Sequence, residues 1–215
     1  MPGVLAGRFL REYFRNVSLR NPGGAGNPYG DLELTEPKAM RALSHPVRLA
    51  VLARLQRYGP ATATELAEHV GATPSVTSWH LRHLAGFGLV QDSGTGGDAR
   101  KRYWRASAKG FRFRFPDDEE GQAASQVLSR AMFTQYADLP RRWMAEVEPQ
   151  LAPEWRREAG VSNTNVPLTA VELAAVNAAI EQVLAPYVTR DPADRPAGAR
   201  HVRFMRYVMP EAEER

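Results

Sequence analysis

With 215 residues, 43% of them apolar and 24% charged, the chain holds enough apolar material for one or two domains with real cores and lacks the composition of a disordered protein. It has no cysteine, which excludes disulfides, thiol redox switching and thiolate metal sites and fits a cytoplasmic protein. The net charge is a modest +4. No segment reaches the roughly 20 apolar residues that span a bilayer, and Gly7, Arg8, Arg11 and Glu12 interrupt what would be the apolar stretch of a signal peptide.

Residues 1–30 are expected to form an N-terminal amphipathic segment and a flexible linker. Val4, Leu5, Phe9, Leu10, Tyr13, Phe14 and Val17 fall on one side of a helix, with Arg8, Arg11 and Arg15 toward the other, which suits a membrane surface, a DNA arm or packing on a partner subunit. The turn-rich NPGGAGNPYG at 21–30 separates it from the body. Thr35 is expected to cap a short helix with Pro37 early in it. Pro46 opens the next helix, whose Val47, Leu49, Ala50, Leu52, Ala53 and Leu55 supply core, while Arg48 either reaches a phosphate or stays at the surface.

Residues 61–90 are the most telling stretch. Thr62 or Thr64 can cap a helix with Glu65 in its first turn, and Leu66, Ala67 and Val70 give it an apolar face. Gly71 suits a left-handed helix end, and Thr73 followed by Pro74 reads as the N-cap and first position of a second helix. Thr77, Leu81 and Leu84 form the inner stripe of that helix. The outer stripe carries Ser75, Val76, Trp79, Arg82 and His83, flanked by Thr73 and Ser78; hydroxyls and a guanidinium have no use in a core but can meet base edges in a major groove. Leu89 to Gln91 reads as a strand, and Arg102 to Ala106 as its return, with a glycine-rich loop between them. Residues 93–102 would thus be a wing whose Arg100, Lys101 and Arg102 meet phosphates or a narrow minor groove. Between Trp79 and Arg114, Arg82, Arg100, Lys101, Arg102, Arg105, Lys109, Arg112 and Arg114 face only Asp92 and Asp98, so positive charge is concentrated locally.

Phe111, Phe113 and Phe115 alternate with Arg112 and Arg114, the pattern of a half-buried strand or extended arm ending at Pro116. Asp117 to Glu120 then load negative charge onto the start of a long helix through Ala123, Val127, Leu128, Ala131, Met132 and Tyr136, expected to dimerise. Pro140 kinks it or begins a new helix capped by Asp138, and residues 149–160 read as a connection carrying Trp155. The last third reads as strand, helix, strand: Val161 to Leu168, then a helix capped by Thr169 and Glu172 with Leu173, Val176, Ile180 and Leu184 inward, then His201 to Met209. Phe133, Tyr136, Trp143, Trp155 and Tyr187 either line an effector pocket or fill core.

The stretch from Leu43 to Val90, continuing through RKRYWRA, resembles the winged helix-turn-helix repressors of the ArsR type, especially an actinobacterial branch with a longer C-terminal region. The likeness spans about residues 35 to 115 and rests on His45, Pro46 and Arg48, on Glu65 to Ala67, on Ser78 to Leu81 and on Gly88 to Val90. The resemblance implies a homodimer that places two recognition helices in successive major grooves of an inverted-repeat operator in double-stranded DNA, usually as a repressor released by a signal such as a small-molecule effector. Many such proteins sense metals through cysteines or through Asp and His ligands. This chain departs from both patterns, since its histidines at 45, 69, 80, 83 and 201 show only the His80, His83 pair.

The fold class expected is therefore α+β, mainly α with small β elements. A winged helix-turn-helix domain spans 31–115, and a helical dimerisation and effector-binding region with a C-terminal strand-helix-strand element spans 116–215. No cofactor, metal, membrane partner or enzymatic activity is expected, since no nucleophile elbow, phosphate loop or ligand run is present. The alternative is a winged-helix module used for small-molecule or protein interaction, with DNA binding secondary.

Overall fold

The computed structural model describes residues 27–94, 101–113 and 117–212. The expected N-terminal amphipathic helix, most of the linker after it, Arg100 with the wing tip, and Arg114 to Pro116 lie outside the described residues.

Four helices and a three-stranded sheet form the centre of the first body. Helices α1 (Pro37–Leu43), α2 (Pro46–Tyr58), α3 (Ala63–Val70) and α4 (Pro74–Gly86) follow one another, and three of the four have proline in the first turn. Proline there gives up an amide that would have no helical partner. The helix α1 departs from expectation: Glu36, not Thr35, holds its N-cap position, and no side chain caps it. By contrast α3 has a full capping box, in which the Thr62 hydroxyl accepts from the Glu65 amide and the Glu65 carboxylate accepts from the Thr62 amide. Gly71 ends α3 at φ 64°, a left-handed conformation that would strain a side-chain-bearing residue. Thr73 then caps α4 through the Val76 amide.

The sheet has the order β2-β4-β3, all antiparallel, from β2 (Ala61–Thr62), β3 (Val90–Asp92) and β4 (Tyr103–Ala106). Strand β4 pairs Trp104 with Asp92 on one side and Ala61 on the other, so the wing is anchored to the start of α3. Sequence periodicity missed a further pairing. Strand β1 (Leu32–Leu34) lies parallel to β5 (Phe111–Phe113), with Leu32 opposite Phe111 and Leu34 opposite Phe113. The approach is close at Gly110, where a Cβ would run into the Asp31 carboxylate.

The core is built from Met40 and Leu43 of α1, Leu49, Val51, Leu52 and Leu55 of α2, Leu66, Leu81 and Leu84 of the helix-turn-helix, and Leu89, Val90 and Trp104 of the wing base. Helix α5 (Glu119–Tyr136), capped by Asp118, closes it with Ala124 and Leu128. This face differs from the expected one. Gly121, Ala124, Ser125, Leu128 and Ser129 point inward, whereas Ala123 and Val127 point out, because small residues let α1 approach until Ser125 Oγ meets Met40 Sδ.

Beyond α5 come α6 (Leu139–Glu146), a 3-10 turn at Glu148–Gln150, α7 (Pro153–Glu158), α8 (Ala170–Val188) and a 3-10 turn at Pro192–Asp194. Pro140 therefore begins a new helix. Asp138 does not cap it by a side-chain hydrogen bond; its carboxylate pairs with Arg141 and Arg142 instead. The expected connection at 149–160 contains the helix that carries Trp155.

The two C-terminal strands do not form. Residues 161–168 are irregular, as Pro167 removes a ladder donor and Asn163 and Asn165 disfavour a pleated strand. Residues 201–209 are irregular too, and their alternating side chains meet helices: Tyr207 touches Phe133, and Arg206 reaches Asn177. Helix α8 has the expected Thr169–Glu172 capping box, but its inward stripe is turned. Asn177 and Glu181 are buried while Val176 is exposed. The class is α+β, mainly helical, with small sheets. Among the described residues no helix is long and apolar enough to cross a membrane.

Candidate nucleic-acid interface

The inner stripe of α4 is fully engaged. Thr77, Leu81 and Leu84 are buried, and Ala67 on α3 is small enough to let the two helices meet. Fixing that stripe fixes the opposite one, since residues three or four apart share a helix face. Ser75, Val76, Trp79 and Arg82 are all exposed together, with Val76 at 47% and Trp79 at 54% of full exposure. A solitary exposed tryptophan is unremarkable, but one beside Ser75 and Arg82 on a rigid helix offers apolar contact and hydrogen bonds at once. Thr73 is exposed at the helix start with its hydroxyl held by the cap, and Ser78 is half-buried at the edge of the face.

His83 is half-buried and stacks on Trp79, with centroids 5.6 Å apart and planes 19° from parallel. It also meets the edge of Phe87. His83 therefore props the Trp79 ring. Behind them His80 is buried, at 4% exposure, and its ring lies 4.7 Å from that of solvent-exposed His45. His45 caps α2 by accepting the Val47 amide at Nδ1, 3.2 Å away. Burial lowers the pKa of His80, and the nearby His45, Arg48 and His83 lower it further; burial and Arg48 do the same to His45 and His83.

Arg48 is neither a phosphate ligand nor a surface residue. It is buried, and its Nε donates to the Ala42 carbonyl near the end of α1, which ties α1 to α2. The only signal of this in the sequence is the His45-Pro46-x-Arg48 spacing, which gives a helix start and a cation one turn in.

In the wing, Lys101 and Arg102 are exposed. Arg102 is engaged on both sides: its Nε lies 2.7 Å from Asp92 Oδ2, and its guanidinium sits 4.3 Å from the Trp104 ring centroid. Arg105 is exposed on β4. Two cations of the expected basic cluster are engaged by other parts of the protein. Lys109 donates to the Val188 and Arg190 carbonyls at the end of α8, and Arg112 is held by Asn27 and Asp31. The cationic patch is thus narrower than the sequence suggests.

The five aromatics of the expected effector pocket are spread over α5 to α8. Phe133 meets the edge of Tyr207, Tyr136 lies under the Arg203 guanidinium and Trp155 under that of Arg200, each from the C-terminal tail. Tyr187 is exposed with Arg190 over it, and Trp143 is half-buried on α6. Among the described residues no group of three or more His, Asp or Glu is arranged to hold a metal ion.

Residues 43–91 match a family model described as a helix-turn-helix domain. No curated protein matches the chain. Among solved structures, the chain is similar to the YusO protein from Bacillus subtilis, at 18% identity over 68% of this chain and 83% of that one, with a TM-score of 0.30. It is also similar to an apo form of Lactococcus lactis ZitR, at 16% identity over 65% and 83% with a TM-score of 0.31. A MarR family transcriptional regulator from Silicibacter pomeroyi matches at 19% identity over 67% and 75%, with a TM-score of 0.30. These whole-chain likenesses are loose, whereas the helix-turn-helix match coincides with the segment that builds the exposed face of α4.

Proposed function

We propose that this protein is a sequence-specific DNA-binding transcriptional regulator of the ArsR type, acting in the cytoplasm as a homodimeric repressor on an inverted-repeat operator. The observation that carries this is the exposed Ser75, Val76, Trp79 and Arg82 face on a helix whose opposite side is locked into the core. In this reading α4 enters the major groove with Thr73, Ser75, Val76, Ser78, Trp79, Arg82 and His83 at or near bases. Lys101, Arg102 and Arg100 approach phosphates from the wing. Arg102 would exchange Asp92 for a phosphate, both being anions at the surface.

Selection from a random duplex library, followed by polarisation titrations of the selected duplex across salt, tests this. Specific binding should yield a two-fold symmetric consensus whose half-sites lie about one helical turn, or a multiple of it, apart. Affinity should fall with a log-log slope near −0.9 per phosphate contact. No enrichment, or binding indifferent to salt, would sink the proposal.

The second reading, a module for small-molecule or protein contact, is favoured by one feature. Val171, Val176, Val183 and Tyr187 of α8 and Phe204 of the tail are exposed apolar side chains on elements other than the DNA-reading helix. A homodimer would cover this type of surface. Sedimentation equilibrium distinguishes a dimer from a monomer that keeps the surface open for another partner.

A further inference from the structure

We infer that the ring contact between His45 and His80 is the joint that sets the recognition helix α4 on the start of α2, so that both are positioning residues for DNA reading. The inference rests on the DNA-reading role of α4 and adds a condition under which that role fails.

The geometry is a short stack running from α2 to the reading face. Exposed His45 packs on buried His80 at 4.7 Å, His80 meets the edge of Trp79 at 4.9 Å, and Trp79 stacks on His83 at 5.6 Å. Apolar packing fixes how deep α4 sits, through Thr77, Leu81 and Leu84. The ring stack reaches Trp79 itself.

Both imidazoles must be uncharged for the joint to hold. His45 uses the Nδ1 lone pair to accept the Val47 amide, so a proton on that nitrogen removes the N-cap of α2. His80 Nδ1 is buried and meets no hydrogen-bond partner, so a charge there would be neither solvated nor paired. The charged and titratable groups facing His80 are His45 and Arg48 from α2 and His83 from its own helix. On α1 the group engaged by Arg48 is the Ala42 carbonyl. Every titratable neighbour adds positive charge, and the lowered pKa values agree with the geometry.

The sign of the pH dependence follows. A histidine whose folded pKa lies below its unfolded value near 6.5 leaves stability intact above that value and loses it as pH falls below, because the unfolded chain then binds more protons. Plain electrostatics predicts the opposite for DNA affinity. Protonated histidines on a DNA-facing surface add cations and tighten binding.

Polarisation titrations of the wild type on a duplex selected at pH 8, repeated down to pH 5.5 at constant ionic strength, decide the matter. Affinity should fall as pH drops through the lowered histidine pKa values, by up to roughly tenfold per ring for each pH unit below them, with far-UV circular dichroism showing a folded chain throughout. His45→Asn keeps a capping oxygen but loses the ring contact, so it should bind less tightly than the wild type already at pH 8 and show a smaller fall with pH. The double variant with His80→Phe should reverse it, leaving the modest tightening expected of His83. Should H80F fail to fold, His45→Asn alone carries the comparison. A wild type that binds equally or more tightly at pH 5.5 overturns the inference, as does a His45→Asn protein that weakens as much as the wild type. Thermal unfolding without DNA gives an independent arm: the wild type should lose more Tm between pH 8 and 5.5 than His45→Asn, and equal losses overturn the joint. Absence of binding at pH 8 would count against the DNA-reading role itself, while the thermal arm would still judge the joint.

Discussion

Residues 32–132 and residues 133–212 are built from similar materials with different outcomes. The first body buries seventeen apolar residues in one cluster drawn from four of its strands and five helices. The second adds none to that cluster. Its buried residues are Asn177 and Glu181, and most of its valines, Tyr187 and Phe204 face outward. Both parts nonetheless contain a helix with the same threonine-glutamate capping box. Local helix signals therefore suffice to form a helix in either place, but only a shared apolar interior fixes its orientation.

Core truncation should separate the two parts most. Leu81→Ala, removing a fully buried side chain, is expected to cost about 2–5 kcal/mol of global stability. The half-buried Leu184→Ala should cost under about 1 kcal/mol by the same scaling with apolar area lost. Parallel urea titrations check both, and equal losses would mean that the C-terminal part shares in the cooperative unit.

Next in size are the reading residues. Trp79→Ala and Arg82→Ala should each remove about 1–3 kcal/mol of discrimination between preferred and mismatched duplexes while leaving Tm nearly unchanged. Uniform weakening on every duplex would reassign them to backbone contacts.

The matched caps give a finer contrast. Thr62→Ala should lower global stability by about 1 kcal/mol, whereas Thr169→Ala should appear as faster amide exchange in α8 with little change in the main transition. Both glutamates of these boxes are held below the usual carboxylate range by hydrogen bonds from the backbone and hydroxyl of their threonines. Their contribution is thus present above the ordinary glutamate pKa and is lost as pH falls through the lowered one. Smallest should be Arg102→Ala, where an exposed pair with Asp92 is worth no more than about 1 kcal/mol to the fold. Its measurable effect should be a flatter salt dependence of DNA binding.

The same contrast explains what was legible in the sequence. The caps at Thr62 and Thr73, the Gly71 turn and the inner stripe of α4 could be read because each is set by neighbours within a few residues. The outer face of α4 followed from them, and with it the candidate site. The pairing of β1 with β5 could not be read, since the partners are about eighty residues apart and each strand is three residues long. Residues 201–209 alternate as a strand would, but alternation says nothing of whether a partner strand exists. In α8 nearly every position is apolar or small, so periodicity offered no unique inward stripe. Arg48 was misplaced for another reason: a buried guanidinium depends on a carbonyl from a different helix.

The Lys109 ammonium, which lies just past the wing strand and holds the carbonyls of Val188 and Arg190, makes a hinge pin between the two parts. It neutralises the negative end of α8 while withdrawing one cation from the side proposed to meet nucleic acid. Because the joint is exposed, water can replace either partner at little cost. Lys109 follows β4 by three residues, so α8 is tied to the chain leaving the wing directly and not by way of the core.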